Sequence, residues 1–205
     1  MLNTRLAAVL ATCALTAVAC SGGTEEAAGD ADTSGEAVSL EVGAVMTTPV
    51  AEISAEHVDP PVTFSTAPAT GGDHFAFWMN CGFYSEPVIE GGAAHSLEHG
   101  AVWITYGDSL PDEEVAALEE LAESNNRLLI SPYDHPEPIV LSAWGAQQRG
   151  ISSTSAPEVD AFIEAWQDNP ELIEAGAPCI DAVGIPPDRP NLIVNGTPVP
   201  EEFLS

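Results

Sequence analysis

Two segments of the chain repeat hydrophobic residues at the spacing of an amphipathic α-helix. Each begins with a capping sequence, Ser109-Leu-Pro-Asp112 in the first and Ser155-Ala-Pro-Glu158 in the second. The apolar positions that follow are Val115, Leu118, Leu121 and Ala122 in the first segment and Val159, Phe162, Ile163 and Trp166 in the second. Because residues three and four apart share one face of a helix, both segments are predicted to pack against a sheet.

Three hydrophobic runs predict β-strands. Ala101–Tyr106 is β-branched and aromatic, so we expect a strand that is buried on both faces. Arg127–Ser131 and Ile139–Trp144 predict two further strands, and the Pro-rich residues 132–138 between them are expected to form a hairpin loop.

The remaining segments have weaker patterns. Leu40–Val45 is a candidate strand at the start of a loop-rich region, and Ala93–His99 predicts one or two helical turns that Gly100 ends. Residues 180–205 are Pro-rich and are expected to form an extended tail on the surface. The order of elements predicts an α+β fold: a mainly antiparallel sheet with two or three packing helices and a loop-rich N-terminal part.

The first residues read as a targeting segment. The apolar run Leu6–Ala19 is too short to span a bilayer but fits a secretory signal. Its end, Ala17-Val-Ala-Cys20, resembles a bacterial lipoprotein signal, although Leu is more usual where Ala17 stands. The resemblance implies that residues 1–19 are removed and that Cys20 is lipidated, which anchors an extracytoplasmic protein to the cell membrane. Simple secretion with a free Cys20 is the alternative.

Residues 20–39 are small and acidic without an apolar period, which predicts a flexible tether. A single globular domain is then expected over residues 40–205. The chain has 32 acidic side chains against 4 Arg and no Lys, for a formal net charge of −28. Such a surface argues against nucleic acid as a partner, because phosphate recognition needs clustered cations. Its field attracts cations, although we take solubility in a salty or acidic habitat to be the main cause of the acidic charge.

Two cysteines remain for the folded domain, since Cys13 leaves with the signal and Cys20 carries the lipid. In an oxidising compartment Cys81 and Cys179 most simply form one disulfide. The competing interpretation is that Cys81 is a soft metal ligand and that Cys179 is free.

Histidines supply the candidate chemistry. His95 and His99 lie four residues apart, a spacing that places both imidazoles on one face of a helix and within reach of one metal ion. The run His95-Ser-Leu-Glu-His99 also matches the H-x-x-E-H pattern of inverted zinc peptidases. We do not favour a peptidase, because Gly100 and a β-type run follow at once and the helix cannot continue.

Two more histidines, His57 and His74, precede this pair in the loop-rich region, with Met79 nearby as a thioether that would favour copper(I). His135, between Asp134 and Pro136, is interpreted as a surface residue. For each histidine taken singly, a hydrogen-bonded loop residue is the plainer alternative.

Six short motifs resemble one bacterial family, labelled domain of unknown function 3105 and common in actinobacteria. They are Gly71-Gly-Asp-His74, Trp78-Met-Asn-Cys-Gly-Phe-Tyr84, Ala94-His-Ser-Leu-Glu-His-Gly-Ala-Val-Trp103, Ser131-Pro-Tyr133 with Ala143-Trp-Gly145, and Ala177-Pro-Cys179. The resemblance covers about residues 50–180 and implies a secreted or membrane-tethered protein that accompanies small copper-associated proteins. The family pattern holds positions that match His57, His74, Cys81, His95, Glu98, His99 and Cys179, but not Met79.

The sequence therefore predicts an extracytoplasmic lipoprotein that binds a transition metal, copper first and zinc second. His57, His74, His95 and His99 are the expected ligands, with Glu98 orienting an imidazole. The role would be capture, sequestration or handover, with an extracytoplasmic metal-handling protein as partner. Two alternatives stay open: a metal-dependent hydrolase or copper oxidase that uses the same histidines, and a surface scaffold or adhesion domain whose histidines only form hydrogen bonds.

Overall fold

The structure is a computed structural model, and it describes residues 44–204, which belong to a single compact unit. The predicted signal, the lipidation residue Cys20 and the tether lie outside the described residues. The elements in chain order are β1 (Val45–Thr47), β2 (Gly82–Phe83), α1 (Glu90–Glu98), β3 (Val102–Tyr106), α2 (Asp112–Ser124), β4 (Leu128–Pro132), β5 (Ile139–Ala143), β6 (Ala146–Ile151), α3 (Pro157–Trp166), β7 (Val183–Ile185) and β8 (Arg189–Ile193).

Six strands form one mixed sheet in the order β1-β6-β5-β3-β4-β2. The pairs β2–β4 and β3–β4 are parallel, and the other three pairs are antiparallel. Strands β7 and β8 form a separate antiparallel pair. The α+β prediction with a mostly antiparallel sheet is confirmed.

The central strands supply side chains to a core on each face of the sheet. In β3, Trp103 packs into the core that contains α1, while its neighbours Val102 and Ile104 pack into the core that contains α2 and α3. In β4, Leu129 packs into the core that contains α1, and Leu128 and Ile130 pack into the core that contains α2 and α3. Strand β3 is therefore buried on both faces, as its unbroken apolar run predicts. Helix α1 lies alone on one face of this sheet.

The connection between β4 and β5 was predicted wrongly as a hairpin loop. Strand β3 pairs with both β4 and β5 and lies between them, so residues 132–138 cross over its end. The interpretation of His135 as a surface residue is also wrong. Its side chain is 3% exposed, and its Nε2 lies 2.9 Å from Oγ1 of Thr105 on β3. The crossing of the chain over β3 is what buries it.

The predicted capping boxes also differ from the structure. The helices α2 and α3 begin after Pro111 and Ala156, and within residues 44–204 no side chain caps either start. Instead, the Glu114 carboxylate accepts hydrogen bonds from the Thr154 backbone and hydroxyl and from the Ser153 hydroxyl. This tertiary contact ties the first turn of α2 to the loop before α3.

The Cys81–Cys179 disulfide is present and joins residues 98 apart in sequence. Its presence rules out the alternative in which Cys81 is a metal ligand and Cys179 is free. The segment expected to be an extended tail contains the β7–β8 pair and ends in a 3₁₀ turn, Glu201–Phe203. Among the described residues, no helix has both the length and the apolar character needed to cross a membrane.

Candidate metal centre

The candidate site lies where helix α1 faces two loops. His95, Glu98 and His99 belong to the last turns of α1, where His99 is the C-cap and Gly100 follows with φ +96°. His57 and His74 come from separate loops that meet in a parallel bridge. The Val58 amide donates to the His74 carbonyl at 2.8 Å, and the His74 amide donates to the Glu56 carbonyl at 3.1 Å. This pairing sets the two loop histidines side by side.

Helix α1 can lie this deep because it begins with two glycines. A Cβ on Gly91 would lie 2.5 Å from Cδ2 of Phe75, and a Cβ on Gly92 would lie 2.9 Å from Cε2 of Phe77. The two aromatic rings therefore occupy the space that side chains would need. Every residue of α1 from Gly91 to Glu98 is buried, so its polar side chains are carried into the interior.

Three histidines and one carboxylate converge in space. His57, His74, His95 and Glu98 each offer a ligand atom, and these four atoms lie within 4.8 Å of one another. The His57 and His95 rings stack with centroids 4.7 Å apart, and the His74 ring meets the His95 ring edge to face at 4.8 Å. His57 is exposed, whereas the other three are buried. We call these four residues the inner cluster.

Backbone carbonyls fix the orientation of the buried imidazoles. The Nδ1 atom of His74 lies 2.8 Å from the Gly72 carbonyl oxygen, and that of His95 lies 2.7 Å from the Phe75 carbonyl oxygen. A carbonyl accepts only, so Nδ1 carries a proton in each ring, and Nε2 is the nitrogen that offers a lone pair whenever the ring is neutral. This is the arrangement that metal-binding histidines commonly have.

Two atoms of the inner cluster lack an ordinary partner. Nε2 of His74 lies 3.1 Å from Oε2 of Glu98, but the angles do not form a hydrogen bond, and among the described residues neither atom has another hydrogen-bond partner. His74 is 0% exposed and Glu98 is 3% exposed. Leaving a buried polar group unpaired costs about 1–3 kcal/mol, so two such atoms that face each other without a hydrogen bond need an explanation.

Burial and the neighbouring rings set the charge states. Burial is the main cause that lowers the pKa of His95, to about 4, and the other histidines act in the same direction, so this imidazole is neutral at pH 7. Burial alone would raise the pKa of Glu98, but the adjacent His74, His95 and His57 outweigh it and hold the pKa below its ordinary value. The site thus presents a neutral imidazole and a carboxylate.

The structure brings together three of the four predicted ligands and places the fourth slightly apart. His99 meets His95 edge to face at 4.7 Å, but its Nε2 contacts Oε2 of Glu174 at 2.9 Å. The same Glu174 oxygen lies 3.6 Å from Nε2 of His95. His95, His99 and Glu174 form a second group of close ligand atoms, which we call the outer group.

Two positions differ from what the sequence predicts. Glu98 was expected to orient an imidazole without binding the metal itself. Its carboxylate instead faces Nε2 of His74, among the ligand atoms. Glu174 was missed, since it is one of many acidic residues and lies 75 positions beyond His99. Its only local signal is the nearby Ala177-Pro-Cys179 motif, because Cys179 fixes this segment beside α1.

Two indole rings and one thioether surround the groups. The Trp144 ring packs edge to face against His74 at 5.6 Å, and the Trp78 ring lies 4.9 Å from His99. Met79 is fully buried in the hydrophobic core, and Cβ atoms placed on Gly92 and Gly184 would lie about 3 Å from its Sδ and Cε. Met79 therefore packs under the helix.

One family model matches the chain. It is described as protein of unknown function (DUF3105), and it covers residues 56–181, which include every residue of the two groups. No curated protein and no solved structure matches the chain. The match spans more than half of the chain and agrees with the motifs around His74, His95 and Cys179. The chain therefore belongs to the DUF3105 family of proteins of unknown function.

Proposed function

We propose that this protein binds a divalent transition-metal ion, copper or zinc, at the inner cluster of His57, His74, His95 and Glu98. The observation that carries the proposal is the pair of buried polar atoms, Nε2 of His74 and Oε2 of Glu98, which face each other at 3.1 Å without a hydrogen-bond partner among residues 44–204. A cation between them would satisfy both. The alternative, a proton shared by the pair, gives no reason for a third imidazole at the same point.

The geometry of the group supports this proposal over a scaffold whose histidines serve only hydrogen bonds. A scaffold of that kind predicts ring nitrogens more than about 5 Å apart, beyond the reach of one ion. The ligand atoms of the inner cluster lie within 4.8 Å of one another. Tetrahedral bonds of about 2.0–2.1 Å need ligand atoms about 3.3 Å apart, so binding calls for a contraction of up to about 1.5 Å. His57, which is exposed and lies on a loop, is the ligand with most freedom to move.

The donor set favours the divalent ions. Imidazole and carboxylate suit Zn²⁺ and Cu²⁺, whereas copper(I) prefers thiolate and thioether. Cys81 and Cys179 are joined in a disulfide, and Met79 packs in the core under α1. The copper that we propose is therefore copper(II), with zinc as its competitor.

The proposed setting is outside the cytoplasm, with the chain held to the membrane by a lipid on Cys20. The net charge of −28 supports a role in collecting cations, because such a field concentrates them at the surface. Capture, sequestration or handover of the ion to an extracytoplasmic partner protein is the resulting function.

Equilibrium dialysis tests the proposal. The mature chain is dialysed against Cu²⁺ or Zn²⁺ with about 1 mM Ca²⁺ present, which occupies weak carboxylate sites on the acidic surface. We expect one tightly held ion per chain in the wild type and none in the His74→Ala/His95→Ala variant. His135→Gln is the matched control, since it removes a buried imidazole outside the site. Equal metal content in the wild type and the double variant would refute the proposal.

A further inference from the structure

The inner cluster and the outer group meet at one nitrogen atom. Nδ1 of His95 is held by the Phe75 carbonyl oxygen at 2.7 Å, so Nε2 is the only nitrogen that His95 can offer to either group. That Nε2 lies 3.6 Å from the Glu174 carboxylate, and His95 is also a member of the inner cluster. An sp² ring nitrogen has one lone pair and forms a bond to one metal ion at a time.

We propose that His95, His99 and Glu174 form a second position for the same metal ion, and that occupation of the inner cluster and of this position is mutually exclusive. His95 would then pass the ion between a buried position and one nearer the solvent. This inference rests on the proposed function and adds to it a route for loading or handover.

The outer group has the features of a weaker site on such a route. His99 is oriented in the same way as His74 and His95, with Nδ1 2.7 Å from the Pro178 carbonyl oxygen, so its Nε2 also faces the group. Nε2 of His99 and Oε2 of Glu174 already contact each other at 2.9 Å, and an ion would have to displace that contact. The Glu174 side chain is 39% exposed, whereas the Glu98 side chain is 3% exposed. The carboxylate of the outer group is therefore more accessible to solvent than the carboxylate of the inner cluster.

A nearby tryptophan reports on each group. Trp144 lies 5.6 Å from His74 of the inner cluster, whereas Trp78 lies 4.9 Å from His99 and 5.7 Å from the shared His95. Bound Cu²⁺ quenches the fluorescence of a nearby indole. Quenching of Trp144, read in the Trp78→Phe versions, should therefore fall when the ion leaves the inner cluster, while quenching of Trp78 remains.

The test is a Cu²⁺ titration that measures stoichiometry and quenching, again with Ca²⁺ present. The inner cluster is disabled by His57→Ala/Glu98→Gln, which removes an exposed ring and makes an isosteric change. We expect one Cu²⁺ per chain in the wild type, and one per chain in this variant with affinity weaker on the order of tenfold or more. Its remaining quenching should depend on Trp78. Adding Glu174→Gln should weaken that remaining binding by a further tenfold or so.

Glu171→Gln is the matched control, because Glu171 is an exposed carboxylate of the same segment. Three results would overturn the inference while leaving the proposed function intact: two tightly bound ions in the wild type, no binding by the folded inner-cluster variant, or equal effects of Glu174→Gln and Glu171→Gln. A wild type that binds no ion would overturn both proposals. Circular dichroism of every variant shows whether it is folded, and Glu174→Gln in the wild-type background gives a second measurement if the multiple variant unfolds.

Discussion

The Nε2 atom of His74 and the Oε2 atom of Glu98 face each other at 3.1 Å in the interior, and among the described residues no hydrogen bond satisfies either atom. The fold positions both groups: the Gly72 carbonyl oxygen contacts Nδ1 of the His74 ring, and helix α1 carries the Glu98 carboxylate. Polar atoms buried without a hydrogen bond destabilise the metal-free protein. A cation would turn this destabilising arrangement into a binding site.

Glu98→Gln should separate metal binding from folding. The amide keeps the shape of the carboxylate and can donate a hydrogen bond to Nε2 of His74, so we expect the metal-free protein to gain about 1–3 kcal/mol of stability. In the wild type, an ion at 100 times its dissociation constant should add about 2.7 kcal/mol, and most of this gain should disappear in the variant. Thermal unfolding with and without Zn²⁺ measures both effects. Glu120→Gln, on the exposed side of α2, is the control, and an undiminished Zn²⁺ effect in Glu98→Gln would exclude Glu98 as a ligand.

Gly91→Ala should destabilise the protein although alanine favours helices. The gain in helix propensity is about 1 kcal/mol. The new Cβ would lie 2.5–2.8 Å from three ring carbons of Phe75, whose carbonyl orients His95, and overpacking of this kind costs about 1–3 kcal/mol. Urea unfolding should show a net loss, accompanied by weaker metal binding. A variant more stable than the wild type would contradict the close packing of α1 on Phe75.

The stability of the metal-free protein should fall as the pH drops below about 6.5. Burial lowers the pKa of His95 to about 4 in the folded chain, while the unfolded chain has the ordinary value near 6.5. Between these values the unfolded state binds a proton that the folded state does not, so acid favours unfolding. We expect His95→Gln to have a smaller loss of Tm between pH 7 and pH 5 than the wild type. Equal losses in the two proteins would contradict the assignment of a buried neutral imidazole.

Removal of the disulfide should lower stability without changing the inner cluster. Cys81 and Cys179 are 98 residues apart, and in the chain-entropy model a bridge over such a loop contributes about 4.7 kcal/mol. The Cys81→Ser/Cys179→Ser variant should therefore unfold at a much lower denaturant concentration, and added reductant should have no further effect on it. Where this variant is still folded, its affinity at the inner cluster should be near that of the wild type, because all four ligands lie outside the segment that Cys179 fixes. A large loss of affinity would contradict this expectation and show that the disulfide supports the geometry of the inner cluster.

The sequence predicts the elements whose pattern is local and misses those that depend on distant contacts. The unbroken apolar run of β3 and the helical stripes of α2 and α3 are visible without coordinates. Strand β6 has no such signal, since it contains Gln147 and Gln148, both of which are buried. The Gln147 amide donates to the Pro68 carbonyl and the Ser142 hydroxyl, and only the folded chain supplies these partners.

The same distinction applies to the site. The histidines stand out in the sequence because they are few and close to motifs, and three of the four predicted ligands meet in the inner cluster. Glu174 could not be singled out, because the nearby Ala177-Pro-Cys179 motif alone does not distinguish one carboxylate among 32 acidic residues. The division of His99 from the inner cluster also depends on tertiary structure, since the Pro178 carbonyl and Glu174 hold its ring.

X-ray absorption spectroscopy of the protein loaded with one equivalent of Zn²⁺ identifies the ligands of the bound ion. We expect four nitrogen or oxygen neighbours at about 2.0–2.1 Å, with the outer scattering of three imidazoles, and two imidazoles in the His74→Ala variant. A shell of six oxygens without imidazole scattering, unchanged in the variant, would place the ion on the acidic surface and contradict the proposed site.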